Sequence, residues 1–187
     1  MRALPPLPYS ISDAVMTKAA NVKLALFDVD GVLTDGKLHY SADGERLKVF
    51  HALDGHGLKM LKAADIDVGV ISARKSPALQ KRLNDLGIQH CHLGVSDKRA
   101  IFKNLLDKLN LSGEDCCFVG DDVIDLPVMN LCGLKFSVDN GHFIVKDAAD
   151  WVSPLTGGHG AVRSICDVLL YSQDSYPLGM ITGSNAQ

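Results

Sequence analysis

The sequence predicts a doubly wound α/β fold with a parallel sheet, and three observations predict it. Short continuous apolar runs alternate with amphipathic stretches, acidic residues stand just beyond the ends of those runs, and a single hairpin signal interrupts the rhythm early in the chain. The apolar runs are residues 22–27, 68–71, 116–119 and, more weakly, 134–138. Runs of this length without polar alternation suit strands buried on both faces, as in a parallel sheet covered by helices. The stretches between them carry helix signals. Ser76 followed by Pro77 reads as an N-cap with proline in the first turn, and Gly87 stops a helix that ends at Leu86. Ile101, Leu105, Leu106 and Leu109 repeat at helical spacing within 97–109, as do Val162, Ile165, Val168 and Leu169 within 161–171. Such alternation implies right-handed strand–helix–strand crossovers. Residues 37–50 differ: Leu38, Tyr40, Leu47 and Val49 flank Asp43-Gly44, which predicts a β-hairpin inserted between the first sheet strand and the first helix.

The chain has 187 residues, which suits one core. The expected division is an N-terminal extension over 1–20, a domain over 21–171, and a tail over 172–187 whose Gly, Ser, Pro and Asn content predicts flexibility, with Leu178, Met180 and Ile181 able to dock. A net charge of −3 and the absence of a basic run argue against nucleic acid as a partner. No apolar run reaches the roughly 18 residues that span a bilayer. Residues 1–21 lack the apolar centre of a signal peptide, so the expected location is cytoplasmic, with no membrane partner. Five cysteines without a C-x-x-C pair fit free thiols in a reducing compartment.

Ligands of open α/β sheets bind beyond the carboxyl ends of the strands. Beyond residue 27 comes Asp28-Val-Asp30-Gly31, beyond 71 comes Ser72-Ala-Arg74, Asp97-Lys98 opens a helix, and beyond 119 come Gly120-Asp121-Asp122 and Asp125. Singly, each has an ordinary local role: a turn, a strand-end cap, a solvated lysine, or an N-cap pair for a helix over 123–130. Together and in this order they predict one rim. Carboxylates gathered there repel one another unless a divalent cation sits among them. Mg²⁺ suits a set made of the Asp28 and Asp121 carboxylates, the Asp30 carbonyl and a substrate phosphate. Lys98 and Ser72 would flank that phosphate. Asp28 is then the expected nucleophile, forming an acyl phosphate, and Asp30, two residues on, the expected acid/base.

These residues resemble the motifs of the haloacid dehalogenase superfamily of phosphatases, over most of the chain: Asp28 to Thr34 its first, Ser72 its second, Lys98 its third, and Gly120 to Asp125 its fourth. The resemblance implies a Rossmann-like phosphatase domain without a separate cap, with Asp28, Asp30, Ser72 and Lys98 catalytic. It implies metal ligation by Asp28, Asp30 and Asp121, with Asp122 and Asp125 supporting. The stretches 50–57, 120–129 and 157–163 are similar to a branch that dephosphorylates sugar acids in bacterial lipopolysaccharide synthesis. That branch implies a homotetramer in which hairpins pack together and a neighbour helps close each site. It also implies substrate contacts at His51, Ala52, Leu53, Asp54, Gly55, Lys59, Arg74, Arg82 and Lys98, the arginines facing carboxylate or phosphate. Leu53 and His159 stand where the branch commonly has arginine, which bears on substrate identity rather than chemistry. The alternatives are a phosphatase of a nine-carbon ulosonate 9-phosphate, a non-catalytic tetramerisation module, and a phospho-acceptor receiver. The full set of catalytic residues speaks against the module, and the built-in Asp30 and the hairpin speak against the receiver.

Overall fold

The computed structural model of the chain describes residues 4–177. In chain order its elements are α1 (Asp13–Ala19), β1 (Leu24–Phe27), β2 (His39–Ser41), β3 (Gly44–Leu47), α2 (Ala52–Ala63), β4 (Asp67–Ser72), α3 (Pro77–Asp85), β5 (His90–Leu93), α4 (Lys98–Leu109), β6 (Cys116–Val119), α5 (Leu126–Met129), β7 (Leu134–Ser137), α6 (Phe143–Ala148), β8 (Trp151–Val152) and α7 (Ala161–Ser172), with 3-10 turns at Gly113–Asp115 and Val123–Asp125. Six strands form one sheet in the order β5-β4-β1-β6-β7-β8, and every neighbouring pair in it is parallel. β2 and β3 form the antiparallel hairpin, outside that sheet.

Side chains alternate across a strand, and this divides the core into two layers. Ala25 and Phe27 of β1 join Val68, Val70, Cys117 and Val119 against α1, α2, α3 and α7. Leu24 and Leu26 join Ile71, Cys116 and Phe118 on the opposite face, against α4, α5 and α6. The chain leaves β1 towards β4 and β5, then crosses back through α4 to β6 on the other side of β1. The order therefore reverses between β1 and β6, which is where such sheets open a ligand crevice.

α3 begins as expected, with the Ser76 side chain accepting from the Leu79 N–H, and it stops before Gly87, whose φ of +66° favours glycine. The helix expected over 123–130 is instead a 3-10 turn followed by the short α5, with Pro127 in its first turn. The described parts of both end segments contact the rest of the chain. α1 packs Val15 and Ala19 into the α7 layer, and the Trp151 indole N–H donates to the Ser10 carbonyl. The tail expected from 172 begins at the last residue of α7, and the residues that follow contact the domain. The Gln173 amide donates to the carbonyls of Ala19 and Val22, and Tyr176 accepts from the Arg163 guanidinium at 2.8 Å. Leu178, Met180 and Ile181 lie outside the described residues. No helix among the described residues is long and apolar enough to cross a membrane.

Candidate active site

Asp28 follows β1 directly, its N–H bonded to the Val119 carbonyl at 3.0 Å. Strand alternation turns its side chain to the Leu24 and Leu26 face, where α4 packs. Lys98 is the first residue of that helix, and Asp97 fixes the start by accepting from the N–H groups of Arg99 and Ala100. The Lys98 ammonium lies 2.5 Å from Asp28 Oδ1 and 2.7 Å from Asp125 Oδ1. All three side chains are buried. Asp125 uses its second oxygen to accept from the N–H groups of Asp121 and Asp122, at 3.1 and 3.3 Å, and so shapes the loop after β6. Asp122 is exposed and caps the 3-10 turn through the Val123 N–H. Its carboxylate thereby helps to shape the loop that carries Asp121 and Asp125.

Asp28, Asp121 and Asp125 offer carboxylate oxygens that all lie within 4.8 Å of one another. Burial pushes the Asp28 carboxyl up to about 6, with the Asp125 charge adding to it and Lys98 opposing. Burial, then the charges of Asp28, Asp125 and Asp122, push Asp121 up to about 8. Burial alone would depress the Lys98 ammonium, but its two carboxylates outweigh that and hold it above the usual lysine value. Asp121 Oδ1 is buried without a hydrogen-bond partner. One ammonium thus faces three crowded carboxyls, one of them with an orphaned oxygen, and this donor set fits a hard divalent cation.

The loop from 28 to 34 is braced from two sides. A Cβ on Gly31, whose φ is +99°, would lie 2.0 Å from Asp121 Oδ2, so only glycine lets the two loops meet. Asn140 donates to the Gly31 carbonyl at 3.1 Å and accepts from the Gly157 N–H at 2.6 Å. A Cβ on Gly157 would lie 1.7 Å from the Gly31 carbonyl oxygen. The Gly157-Gly158 pair therefore serves close backbone packing against this loop, a role its sequence alone does not disclose.

Ser72 ends β4 and is buried at the rim, accepting from the Arg74 N–H at 3.2 Å. Asp30 faces the hairpin: its Oδ1 contacts the Lys48 ammonium and its Oδ2 lies 3.9 Å from Arg74 Nε. Arg74 also contacts the Tyr40 hydroxyl and lies over its ring. A cleft of about 330 Å³ opens beside Lys98, lined by Ala73, Ser96, Ile124 and Pro127 among others.

The expected substrate contacts do not all gather there. His51 precedes α2, with its Nδ1 buried and unpartnered. Ala52, Leu53 and Lys59 are exposed. Asp54 is only 1% exposed; its Oδ1 accepts from the Arg163 N–H at 2.8 Å and so caps the start of α7, while its Oδ2 is buried without a hydrogen-bond partner. Gly55 lies under the Arg82 guanidinium, which leaves no room for a Cβ, and Arg82 also lies over the Phe50 ring. Sequence reasoning missed Lys48, Glu45 and Asn140. The one available signal was the alternation of the hairpin, which sets Lys48 opposite Leu47 and Val49.

Comparison with known proteins identifies the family. The haloacid dehalogenase-like hydrolase family matches residues 38–133, a span that includes Ser72, Lys98 and Asp121. The 3-deoxy-D-manno-octulosonate 8-phosphate phosphatase KdsC of Escherichia coli (strain B / BL21-DE3) is 43% identical over 163 residues, 87% of each chain. The crystal structure of the phosphatase of the same name from Yersinia pestis superposes with a TM-score of 0.87 at 41% identity, covering 89% of this chain and 90% of that one. The Moraxella catarrhalis phosphatase, solved with a magnesium ion, a phosphate ion and a KDO molecule, superposes with a TM-score of 0.86 at 35% identity, covering 90% and 97%. Fold and sequence agree, and the chain belongs to the haloacid dehalogenase-like hydrolases, in the family of the 3-deoxy-D-manno-octulosonate 8-phosphate phosphatases.

Proposed function

We propose that this chain is a Mg²⁺-dependent phosphatase that hydrolyses 3-deoxy-D-manno-octulosonate 8-phosphate to the free sugar acid (KDO) and phosphate. The observation that carries the reading is the cluster of buried Asp28, Asp125 and Lys98 with half-buried Asp121 at the point where the strand order reverses. The magnesium, phosphate and KDO bound to the Moraxella relative support the choice of ion and substrate.

Asp28 attacks phosphorus, the bond from phosphorus to the sugar oxygen breaks, and Asp30 gives that oxygen its proton. Water then attacks the phosphorus of the Asp28 acyl phosphate and gives a proton to Asp30. The bond to Asp28 breaks, phosphate leaves, and both carboxylates return to their starting states. Lys98 and Ser72 hold the phosphoryl oxygens. The cation, when bound by Asp28, the Asp30 carbonyl and Asp121, neutralises charge among the carboxylates and on the phosphoryl group. Asp125 holds both Lys98 and the loop of Asp121. Arg74 and Arg82 are the cations assigned to the sugar acid.

The reading includes a cytoplasmic homotetramer. Leu38, Tyr40, Leu47 and Val49 of the hairpin are each about half exposed, an apolar surface that assembly would cover. Light scattering tests this, with a monomer contradicting it. The activity is tested by phosphate release from the 8-phosphate beside a panel of sugar phosphates, with Mg²⁺ and with EDTA. Metal-dependent preference for that substrate is expected. Preference for a nine-carbon ulosonate 9-phosphate would move the substrate and keep the chemistry. No release from any member would favour an assembly module.

A further inference from the structure

The hairpin carries a lysine to the residue that the reaction uses as its acid. Lys48 follows β3, and its side chain is only 2% exposed, although Leu47 and Val49 on either side of it are open to solvent. Its ammonium contacts Asp30 Oδ1 and lies 3.2 Å from Glu45 Oε2. Glu45 in turn accepts from the Ser76 hydroxyl at 2.5 Å, and Ser76 is the N-cap of α3. A line of polar contacts therefore runs from the start of α3, through the hairpin, to Asp30. A buried ammonium is costly unless paired. Glu45 pairs Lys48 from within the hairpin and so holds its ammonium at Asp30. Arg74, at 3.9 Å from Asp30 Oδ2, is beyond hydrogen-bond reach, which among the described residues leaves Lys48 as the side chain that fixes this carboxylate.

We propose that Lys48 is a positioning residue, anchored by Glu45, that aims the Asp30 carboxyl at the leaving oxygen, so that the hairpin governs proton transfer in the first step. This rests on the assignment of Asp30 as the acid. When phosphorus passes from the substrate to Asp28, the departing sugar oxygen takes the Asp30 proton as its bond to phosphorus breaks. A sugar alkoxide needs that proton, whereas p-nitrophenolate departs without it. kcat/KM covers only the steps up to that departure, so the later return of the proton does not enter it.

The test compares kcat/KM for the sugar-acid 8-phosphate and for p-nitrophenyl phosphate in wild type, Lys48→Met and Asp30→Asn. A positioned acid contributes about 10²–10⁴-fold. Lys48→Met is expected to raise the p-nitrophenyl-to-sugar ratio by at least about 10-fold through partial loss of that contribution. Asp30→Asn raises it further, and Lys48→Arg recovers part of it. If Asp30→Asn moves the ratio and Lys48→Met does not, the proposal is overturned while the acid assignment stands. Equal losses on both substrates in Lys48→Met overturn it in the same way. If Asp30→Asn leaves the ratio unmoved, the acid assignment itself fails and the proposal fails with it. Should Lys48→Met not fold, Glu45→Gln carries the test, with a smaller rise in the same ratio expected and no rise overturning the proposal.

Discussion

Replacing Lys98 with methionine keeps most of the length of the side chain and removes the ammonium shared by Asp28 and Asp125. Breaking a buried ion pair from one side costs about 3–5 kcal/mol, because the partner is left charged and unpaired. Asp125 retains two backbone N–H donors, so the main loss falls on Asp28, and the lower end, about 3 kcal/mol, is expected. In a domain of this size that lowers Tm by about 6–12 °C. The cost belongs to the ionised carboxylates and therefore depends on pH. Burial pushes the Asp28 and Asp121 carboxyls up to about 6 and about 8, above the usual carboxyl value of 3.8. A carboxyl raised on folding favours the folded state while it is protonated, and that contribution is lost as pH rises through the folded value. Without Lys98, Asp28 rises further. The gap in Tm between wild type and Lys98→Met should thus be small near pH 5 and widen towards about pH 8. Thermal melts in EDTA across that range measure it, and saturating Mg²⁺ should narrow the gap by supplying another cation. A gap below about 1 kcal/mol, or one that does not change with pH, would refute this account of the buried cluster.

Other expectations follow from single contacts. Mg²⁺ binding near neutral pH should release about one proton, chiefly from Asp121, and weaken as pH falls; calorimetry in two buffers of different ionisation heat measures this, and binding without proton release would contradict it. Asp54→Ala should cost about 1–2 kcal/mol in urea unfolding by removing the acceptor at the start of α7, with KM little changed; a raised KM at unchanged stability would contradict this and assign Asp54 to the substrate. Gly157→Ala should destabilise by about 1–3 kcal/mol and depress turnover, because its Cβ meets the backbone of the catalytic loop; a variant with wild-type melting and kinetics would reject that role for the close approach.

The parts of the fold legible in the sequence are those whose environment is uniform along the segment. β1 and β6 lie between two helical layers, so every residue is apolar, and α3 announces both its ends through Ser76 and Gly87. β5 is half-buried throughout and reads His-Cys-His-Leu, a pattern no period marks as a strand, and β8 is two residues long. α2 contains Gly55 and Gly57, poor helix formers, and only its packing explains them: Gly57 lets Cys166 and Arg163 of α7 come close, and Gly55 makes room for Arg82. The acidic rim was legible because order along the chain maps directly onto neighbouring strand ends. Asp54 and Lys48 were not, since burial and long-range partners decide their roles. Asp54 meets a backbone N–H 109 residues away, and Lys48 meets Asp30 across the hairpin.

The covalent intermediate is the central claim. Acid-quenched turnover mixtures, reduced with borohydride and mapped by peptide mass spectrometry, test it most directly, because reduction turns an aspartyl phosphate into homoserine. Homoserine at position 28 is expected in the wild-type protein during turnover, and none is expected in Asp28→Asn, which should also have lost turnover while keeping its fold. Homoserine at another aspartate, or undiminished turnover in Asp28→Asn, would contradict nucleophilic attack by Asp28.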